Sequence, residues 1–527
     1  MRSYTAQALK NIKFNDAPKG HLSSRDPLSE RRAKRRDKRR RPLCLLALGV
    51  TSLMALTSSR PPALAAGFEF PDSGSLATAR GGASVSGITD ATAGFLNPAV
   101  LSRLKGLRLS YNHNLVFSEL SFTRAPSVIP DPYDYEADAQ SEVGAGQGPA
   151  SNRETLFPLN GLIAISYQLK PNLTLGFSAH GPNGSGASRY PIQGGQRYMI
   201  TQLDALLAFI GGSVAYGGDN WGIGTTLQLA TLPQLSYRMV VDGTGDPELN
   251  PNLSAFDIEA EVSVSDPAAF TALVGAWFRP TPSFEIALSG RVLPVRFDAT
   301  GNVNIHNTPN DVVFDESMLT VKNNSAALSL TLPQTARLGL RYRGLDETGQ
   351  QERYDLEFAL VYERWSVMDE IEVDLEGKVV VLGNSDLTDV TLPKMWRDTL
   401  SARLGGSYRV NDKLKFSAGG FYEQGATPRQ YAHLDFPSFD RLGLAGGVSY
   451  QLIPQLELVV GYLHIFETEV KVSEQEGKVF QQRPIAPCDD AGCGSNEAGE
   501  AYSGVPANAG THRVRLQSFT LGLNASF

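Results

Sequence analysis

The stretch that decides the fold is "FTLGLNASF", Phe519–Phe527, in which apolar residues occupy every second position. The positions between them hold Thr, Gly, Asn and Ser. Because successive side chains of a β-strand point to opposite faces, the stretch predicts a strand with one apolar face and one polar or small face. The same alternation recurs upstream, at residues 173–178, 221–229 and 354–362.

Alternation alone fits both a soluble β-sandwich and a transmembrane β-barrel, since each strand has one apolar face in either fold. The connections distinguish them, because short turns alternate with long polar segments rich in Gly, Pro and Asp. Outer-membrane barrels have short periplasmic turns and long extracellular loops. We therefore predict an all-β fold, a 14-stranded antiparallel transmembrane β-barrel, with strands near residues 107–122, 159–169, 172–182, 205–216, 220–235, 257–279, 283–298, 334–343, 354–366, 398–410, 413–424, 440–452, 455–468 and 513–527.

An aromatic residue recurs two or three positions before each short turn, in step with the apolar side chains of its strand. Amphipathic rings are favoured where apolar and polar phases meet. The spacing therefore predicts a periplasmic aromatic belt, made of Tyr167, Tyr216, Trp277, Tyr342, Tyr408 and Tyr450.

The N-terminus has the order of a secretory signal. A basic run, Arg31–Arg41, precedes the apolar run Leu43–Ser58, and Ala63–Ala65 supplies small residues for cleavage. We predict that residues 1–65 are a basic extension and signal peptide; the alternative, a nucleic-acid-binding arm, fits the apolar run less well. Cleavage leaves 33 Lys and Arg against 51 Asp and Glu, a net charge of −18 that disfavours nucleic-acid binding. Together with the barrel, export predicts the bacterial outer membrane as the location.

The cysteines predict at most one covalent link. Cys44 lies in the signal, so the exported part keeps Cys488 and Cys493. In an oxidising compartment these two residues can close a small disulfide loop. A zinc site would need two further ligands, and no His lies nearby, so neither a metal nor another cofactor is expected.

A barrel of this width leaves a lumen that its own side chains do not fill, so the lumen must conduct water or be plugged. Residues 66–105, rich in Gly, Ala, Ser and Thr, are the predicted hatch, and residues 106–527 form the barrel with its long loops. Within the hatch, Asn97 can cap a short helix whose first turn starts at Pro98.

The stretch "ATARGGASVSGITDATAGFLNPAVLSRLKG", residues 77–106, resembles the N-terminal hatch of the FadL/TodX family of outer-membrane transporters for hydrophobic compounds. Two motifs carry the resemblance, Arg80-Gly81-Gly82-Ala83 and Asn97-Pro98-Ala99. Weaker similarity extends over most of the exported chain, including "LPQTARLGLRY" and "MWRDTLSARLGGSY". The resemblance implies a monomeric barrel, extracellular loops that capture a lipophilic molecule, and lateral release through a gap near the third strand.

The third predicted strand ends in "HGPNGSG", which interrupts ladder hydrogen bonding and is the expected place of that gap. The residues concerned are Gly181, Pro182, Gly184 and Gly186, and the alternative is that they only begin an extracellular loop. For capture, loops 236–256 and 299–333 are the candidates, although neither shows a decisive apolar stripe.

The function that follows is passive outer-membrane transport of hydrophobic molecules, first of all long-chain fatty acids. Aromatic hydrocarbons are an alternative cargo, and an unspecific porin is an alternative function. An outer-membrane lipid hydrolase is least supported, because no Ser and His are spaced as a recognisable catalytic pair, and no P-loop is present.

Charged residues on the predicted polar faces can steer a carboxylate headgroup or pair with one another across the lumen, and pairing is favoured. They are Arg108, Asp355, Glu357, Glu363, Arg403 and Arg409. The acidic run Asp131–Glu142 is either a solvated loop or a divalent-ion site shared with lipopolysaccharide. The terminal Phe527 resembles the signal that the barrel assembly machinery reads.

Overall fold

The computed structural model describes residues 73–130, 140–143, 150–152, 155–156, 161–182, 186–243, 256–309, 316–347, 351–379, 385–485 and 505–527. Within them the chain forms a closed antiparallel barrel of fourteen strands. Each strand pairs with its neighbour along the chain, and β14 returns to β1 over a long ladder from Arg108–Ser526 to Arg124–Gly510. The predicted fold class is therefore confirmed.

The barrel strands have the following bounds: β1 (Leu107–Arg124), β2 (Gly161–Lys170), β3 (Leu173–His180), β4 (Gln202–Gly217), β5 (Trp221–Asp242), β6 (Asp257–Thr281), β7 (Phe284–Arg291, continued by Val295–Asn307), β8 (Val321–Leu332, continued by Thr335–Leu345), β9 (Glu352–Glu363, continued by Glu370–Val379), β10 (Val390–Pro393, continued by Thr399–Arg409), β11 (Leu414–Glu423), β12 (Arg441–Ile453), β13 (Leu456–Val472) and β14 (Gly510–Ser526).

Shorter elements complete the described chain. The strands Ser127–Pro130 and Gln140–Val143 pair with each other, Ala150–Asn152 and Thr155–Leu156 pair with β1, Gly186–Arg189 pairs with β4, and Ser385–Asp386 pairs with β9. The helices are α1 (Ser75–Ala79), α2 (Ala93–Leu96) and the 3-10 helices Pro98–Arg103, Glu316–Leu319, Trp365–Val367 and Arg429–Tyr431. None of the described helices is long and apolar enough to cross a bilayer.

The strands alternate as their sequence predicts. In β14, Phe519, Leu521 and Leu523 are exposed, while Ser518 and Thr520 are buried. The same holds in β1, where Tyr111 is exposed between the buried polar residues Ser110 and Asn112. The exposed apolar side chains form the outer face toward lipid, and the polar ones line the interior.

Several strands extend further than predicted. Residues 299–333, predicted as a capture loop, mostly belong to β7 and β8, and residues 236–242 of the other candidate loop belong to β5. A segment that carries no predicted strand, Glu370–Val379, continues β9. These corrections have one cause. The extensions reverse the pattern of the lipid-facing parts of the strands, as in Glu370–Val379, where apolar side chains face inward and charged side chains face outward.

Candidate functional site

The N-terminal segment, residues 73–106, crosses the barrel interior. Helix α1 contacts strands β11 to β14 and β1, whereas the 3-10 helix Pro98–Arg103 contacts β3 to β6. From Gly74 to Ser102 every residue except Thr89 is buried. A segment that touches opposite walls of a closed barrel must lie inside it, so these residues occupy the lumen.

The Arg80-Gly81-Gly82 turn fits against the wall because glycines lie on both sides of the contact, in the turn and in the wall strands. Gly81 and Gly82 have φ of +63° and +75°, a conformation that residues with a Cβ rarely adopt. On the wall, a Cβ at Gly405 or at Gly419 would lie 2.1 Å from the Arg80 carbonyl oxygen. The motif therefore has a structural reason: it brings backbone to backbone at β10 and β11.

The Arg80 side chain is fully paired inside the barrel. Its guanidinium donates to both carboxylate oxygens of Asp355, at 2.9 and 2.7 Å, and to Glu357 at 3.3 Å. It also donates to the Ser407 hydroxyl and to the Ala83 carbonyl. A bidentate arginine–carboxylate pair fixes orientation as well as position, so Arg80 anchors the segment to β9.

Glu357 holds the backbone of the same segment. Its carboxylate accepts the amide N–H groups of Val85, Ser86 and Gly87 at 2.7, 2.8 and 2.8 Å. On β7, Glu285 accepts the Ser86 hydroxyl at 2.6 Å and pairs with Arg103 at 2.9 Å. Two wall carboxylates thus hold the middle of the segment and its C-terminal end.

The Asn97-Pro98-Ala99 turn forms the second wall contact. The side-chain oxygen of Asn97 accepts the Ala99 N–H at 3.2 Å, and the side-chain NH₂ group of Asn97 donates to the Val85 carbonyl at 2.9 Å. A Cβ at Gly275 of β6 would lie 2.0 Å from Asn97 Oδ1, and one at Gly224 of β5 would lie 2.6 Å from the Ala99 nitrogen. The predicted cap and proline start are present, although the helix is 3-10 rather than α.

The predicted lumen charges fall into two groups. Asp355, Glu357, Glu363 and Arg403 are buried on the inner face, whereas Arg108 is only half-buried and donates to the Lys105 carbonyl. Arg409 is exposed beside the β10–β11 turn, so its place in the lumen was predicted wrongly. It alternates in step with the inward-facing residues of β10, but the strand ends at Arg409 and the side chain lies outside the lumen. Sequence reasoning missed the charged residues that join this set, namely Glu285, Arg341, Arg279 and Arg103.

Five members of the predicted belt, all tyrosines, are exposed on the outer face. The sixth, Trp277, is only 2% exposed and faces the lumen, where its indole N–H donates to the Ala99 carbonyl at 3.1 Å. Its place in the belt was predicted wrongly, because odd-numbered residues of β6 face inward near the turn. Phe278 takes the outward position instead.

The ladder between β2 and β3 ends at the pair Leu162–His180. Gly181 and Pro182 then turn inward and are buried, and the Gly181 carbonyl accepts the Ser73 hydroxyl at 3.3 Å. Gly186 begins the short strand that pairs with β4, while Gly184 lies outside the described residues.

Pro182 lines a cavity in the interior of the barrel. Phe95 and Leu96 of α2 border it from the N-terminal segment, and three arginines and one glutamate line it from the wall: Arg291, Arg337, Arg403 and Glu363. The cavity is therefore amphipathic and carries more positive than negative charge.

A second pocket lies among the strand extensions and is almost wholly apolar. Inward-facing residues at every second position line it. They include Leu235, Tyr237, Met239 and Val241 of β5, Leu328 and Leu330 of β8, and Ile371, Val373 and Leu375 of β9. The sequence signal for it was the alternation in "EIEVDLEGKVV", residues 370–380.

A buried ionic cluster adjoins this pocket, with Lys394 from between the two parts of β10 and with His433 and Asp435 from the loop between β11 and β12. Lys394 Nζ lies 2.5 Å from Asp435 Oδ2, and His433 Nδ1 lies 2.8 Å from Asp435 Oδ1. Burial and Lys394 hold the pKa of His433 below its usual value. Burial alone would raise the pKa of Asp435, but His433 and Lys394 outweigh it and keep it well below its usual range.

Within the described residues, no group of three or more His, Cys, Asp and Glu side chains could hold a metal ion. Cys488 and Cys493, the predicted disulfide, lie outside the described residues.

Comparison with known proteins assigns this arrangement to a family. Residues 55–487 match the family profile described as outer membrane protein transport protein (OMPP1/FadL/TodX). A putative outer membrane protein of Neisseria meningitidis serogroup B is 22% identical over 454 residues, covering 78% of this chain and 89% of that protein. The long-chain fatty acid transport protein of Escherichia coli is 24% identical over 153 residues, 29% of this chain and 31% of that protein.

Solved structures show the same fold. A Pseudomonas aeruginosa FadL homologue superposes with a TM-score of 0.67 at 18% identity, over 88% of this chain and 100% of that one. The toluene transporter TbuX of Ralstonia pickettii gives a TM-score of 0.55 at 15% identity, over 87% of this chain and 100% of that one.

Proposed function

The chain belongs to the OMPP1/FadL/TodX family of outer-membrane transport proteins, and from this premise we propose that it carries long-chain fatty acids across the outer membrane without an energy source. Its place in the outer membrane and its role as a transporter of hydrophobic molecules rather than an enzyme come with the family. The cargo, the route and the parts that move are the proposal.

The observation that carries the proposal is the apolar pocket among the strand extensions. The outer faces of these extensions are charged, as at Glu370, Glu372 and Asp374, so they stand in water above the bilayer. An apolar solute that meets them from outside finds the nearest apolar surface inside the pocket. Burying a long acyl chain there is favourable by about 0.8 kcal/mol per CH₂ group.

The N-terminal segment serves as the hatch in this proposal. It fills the lumen below the interior cavity and is held by ion pairs and backbone contacts, so steady ion flow is blocked. Release then runs sideways, where the β2–β3 ladder ends at His180 and Pro182 borders the cavity. A lateral exit suits an apolar molecule, because it avoids the polar periplasm.

Aromatic hydrocarbons are the second candidate cargo. The apolar pocket offers no charged group to a ligand, and TbuX, which shares the fold, is a toluene transporter. The arginines of the interior cavity favour a carboxylate instead, and we give the fatty acid precedence for that reason.

Mass spectrometry of lipophiles that co-purify with the protein in mild detergent tests the proposal. We expect fatty acids to be retained by the wild type and lost when Val373, which lines the pocket, is replaced by Ser. Glu372→Ser is the matched control on the outer face of the same strand and keeps the lipid. Recovery of no lipophile from the folded barrel would refute a binding function, and a large steady single-channel current would indicate an open porin instead.

A further inference from the structure

A second interruption of the wall lies between β7 and β8. Their ladder runs from Phe284–Tyr342 to Ser289–Arg337 and resumes only at Val295–Leu332, shifted by one residue. Pro294 and Pro333 fall within the interrupted stretch, and neither has an N–H to donate. We call residues 290–294 and 333–336 the seam.

Side chains close the seam in place of the ladder. The Arg291 backbone N–H donates to the Thr335 hydroxyl at 3.2 Å, and the Gln334 side-chain amide donates to the Val292 carbonyl at 3.3 Å. The Arg291 guanidinium donates to the Pro333 carbonyl at 3.4 Å. All three bonds are at the long end of the usual range, and each involves a side chain that can rotate away.

The seam separates two cavities that share lining residues. The interior cavity reaches Gly290, Thr335 and Arg337 from the lumen, and a groove reaches the same three residues from the lipid face. The wall between them is therefore one backbone thick. Gly290 makes this possible, since a Cβ there would lie 2.1 Å from the Thr335 carbonyl oxygen.

The two sides of the seam differ in chemistry. On the lumen side the cavity has Arg291, Arg337 and Arg403, with the Arg291 guanidinium 5.3 Å from the Phe209 ring. On the lipid side the groove is lined by outward-facing apolar residues, among them Leu288, Val292, Leu338 and Leu360. The seam, which only the three long hydrogen bonds close, thus separates a positively charged cavity from an apolar groove.

We propose that the seam is a binding and exit site for a single-chain anionic amphiphile. The carboxylate lies among Arg291 and Arg337 in the cavity, and the acyl chain passes through the seam into the groove on the lipid face. This inference rests on the proposed function, which supplies the cargo, and adds to it a second lateral route that leaves the same cavity between β7 and β8 instead of at the break in β3. A neutral hydrocarbon gains nothing from the arginines and is not held here.

Photolabelling in detergent micelles tests the site, using palmitate with a diazirine at the end of its chain and the corresponding diazirine-bearing hexadecane as the uncharged probe. Peptide mapping by mass spectrometry locates the adducts. We expect the palmitate probe to label Leu288, Val292 and Leu338 more than the intact wall at Val448 and Val460, where the β12–β13 ladder is continuous. The hexadecane probe should label both walls alike.

Two variants separate the halves of the site. Arg337→Gln should lower groove labelling by palmitate by about tenfold. This is the lower end of the loss of affinity expected when one hydrogen bond to a charged group is removed. Leu288→Trp fills the groove from the exposed lipid side and should have the same effect, so the test survives if the arginine variant does not fold. Val460→Trp is its control on the intact wall and should leave labelling unchanged.

The outcomes distinguish the two proposals. Palmitate labelling confined to Phe209, Pro182 and the cavity would overturn the seam site while leaving the transport proposal intact. Equal labelling of both walls by both probes would mean simple partition into the micelle and would also overturn it. Absence of labelling in the apolar pocket of the strand extensions, as well as in the cavity and the groove, would remove the proposed function itself.

Discussion

The Arg80 anchor makes a quantitative prediction about the hatch. Arg80→Gln removes a guanidinium that is 1% exposed and leaves the carboxylates of Asp355 and Glu357 buried, the first of them with Arg341 as its remaining charged partner. Removing one partner of a buried ion pair typically destabilises by about 3–5 kcal/mol, because the other charge stays buried and uncompensated. Here the loss is confined to the N-terminal segment, since the barrel ladders do not depend on Arg80.

Local opening of the segment should therefore become more frequent by between about a hundredfold and a few thousandfold, at 1.4 kcal/mol per factor of ten. Hydrogen–deuterium exchange measures this directly, because backbone amides of residues 75–104 exchange when the segment opens. Peptides from β11 to β13 should keep their protection. The ion conductance of the variant in planar bilayers should rise in parallel, since an open segment no longer blocks the lumen.

Arg409→Gln is the matched control, because it removes an exposed arginine near the periplasmic turn and should change neither measurement. The double variant Arg80→Gln, Asp355→Asn removes both charges and should recover part of the protection. Unchanged exchange in Arg80→Gln would refute the reasoning, since it would mean that the ion pair does not hold the segment.

Three further predictions follow from the same structure. Asn97→Ala removes the cap on Ala99 and the bond to Val85. The exchange protection of residues 97–103 should therefore fall by about 1 kcal/mol or somewhat more in the same exchange experiment, with Asn302→Ala, at an exposed position of β7, as the control. Gly275→Ala inserts a methyl group where Asn97 Oδ1 lies, so it should displace the 3-10 helix and raise ion leakage in bilayer recordings; a silent variant would contradict the packing. The loop of residues 424–440 should loosen as the pH falls below about 6.5. The reason is that burial lowers the pKa of His433, so the open loop binds the proton more readily than the closed one. In stronger acid, protonation of Asp435, whose pKa is also lowered in the closed loop, should destabilise the loop further. Proteolysis of this loop between pH 7.5 and 5 checks the sign, and greater resistance in acid would contradict it.

The sequence predicts the barrel well because the relevant signal is local. Period-two alternation is contained within each strand, and the short turns at Pro171 and Asp412 are marked by their own residues. The same holds for the cap at Asn97, because the N–H that it accepts belongs to Ala99, two residues along the chain. Strand number, turn positions and the start of the 3-10 helix therefore require no knowledge of distant contacts.

The interior contacts depend on distant residues and were harder to predict. Arg80 meets Asp355 across 275 positions of sequence, and nothing near either residue signals the other. The inward orientation of Trp277 was missed because both faces of β6 carry apolar residues near the turn, Leu273 and Trp277 on one and Val274 and Phe278 on the other. Glycines such as Gly405 and Gly275 read as neutral strand positions, although each admits a close contact from the N-terminal segment.

The strand extensions explain both the missed pocket and the way the chain divides its surfaces between lipid and water. Along β9 the even-numbered residues face outward throughout: Leu356, Phe358 and Leu360 near the turn, then Glu372 and Asp374 farther along. The backbone parity does not change, but the apolar side chains move from the even to the odd positions between Tyr362 and Ile371. Since the outer face follows the surrounding medium, this reversal marks where β9 leaves the bilayer. Above that level the barrel needs an apolar interior to hold together in water, and the core that stabilises the extensions is the same surface that an incoming lipophile meets first.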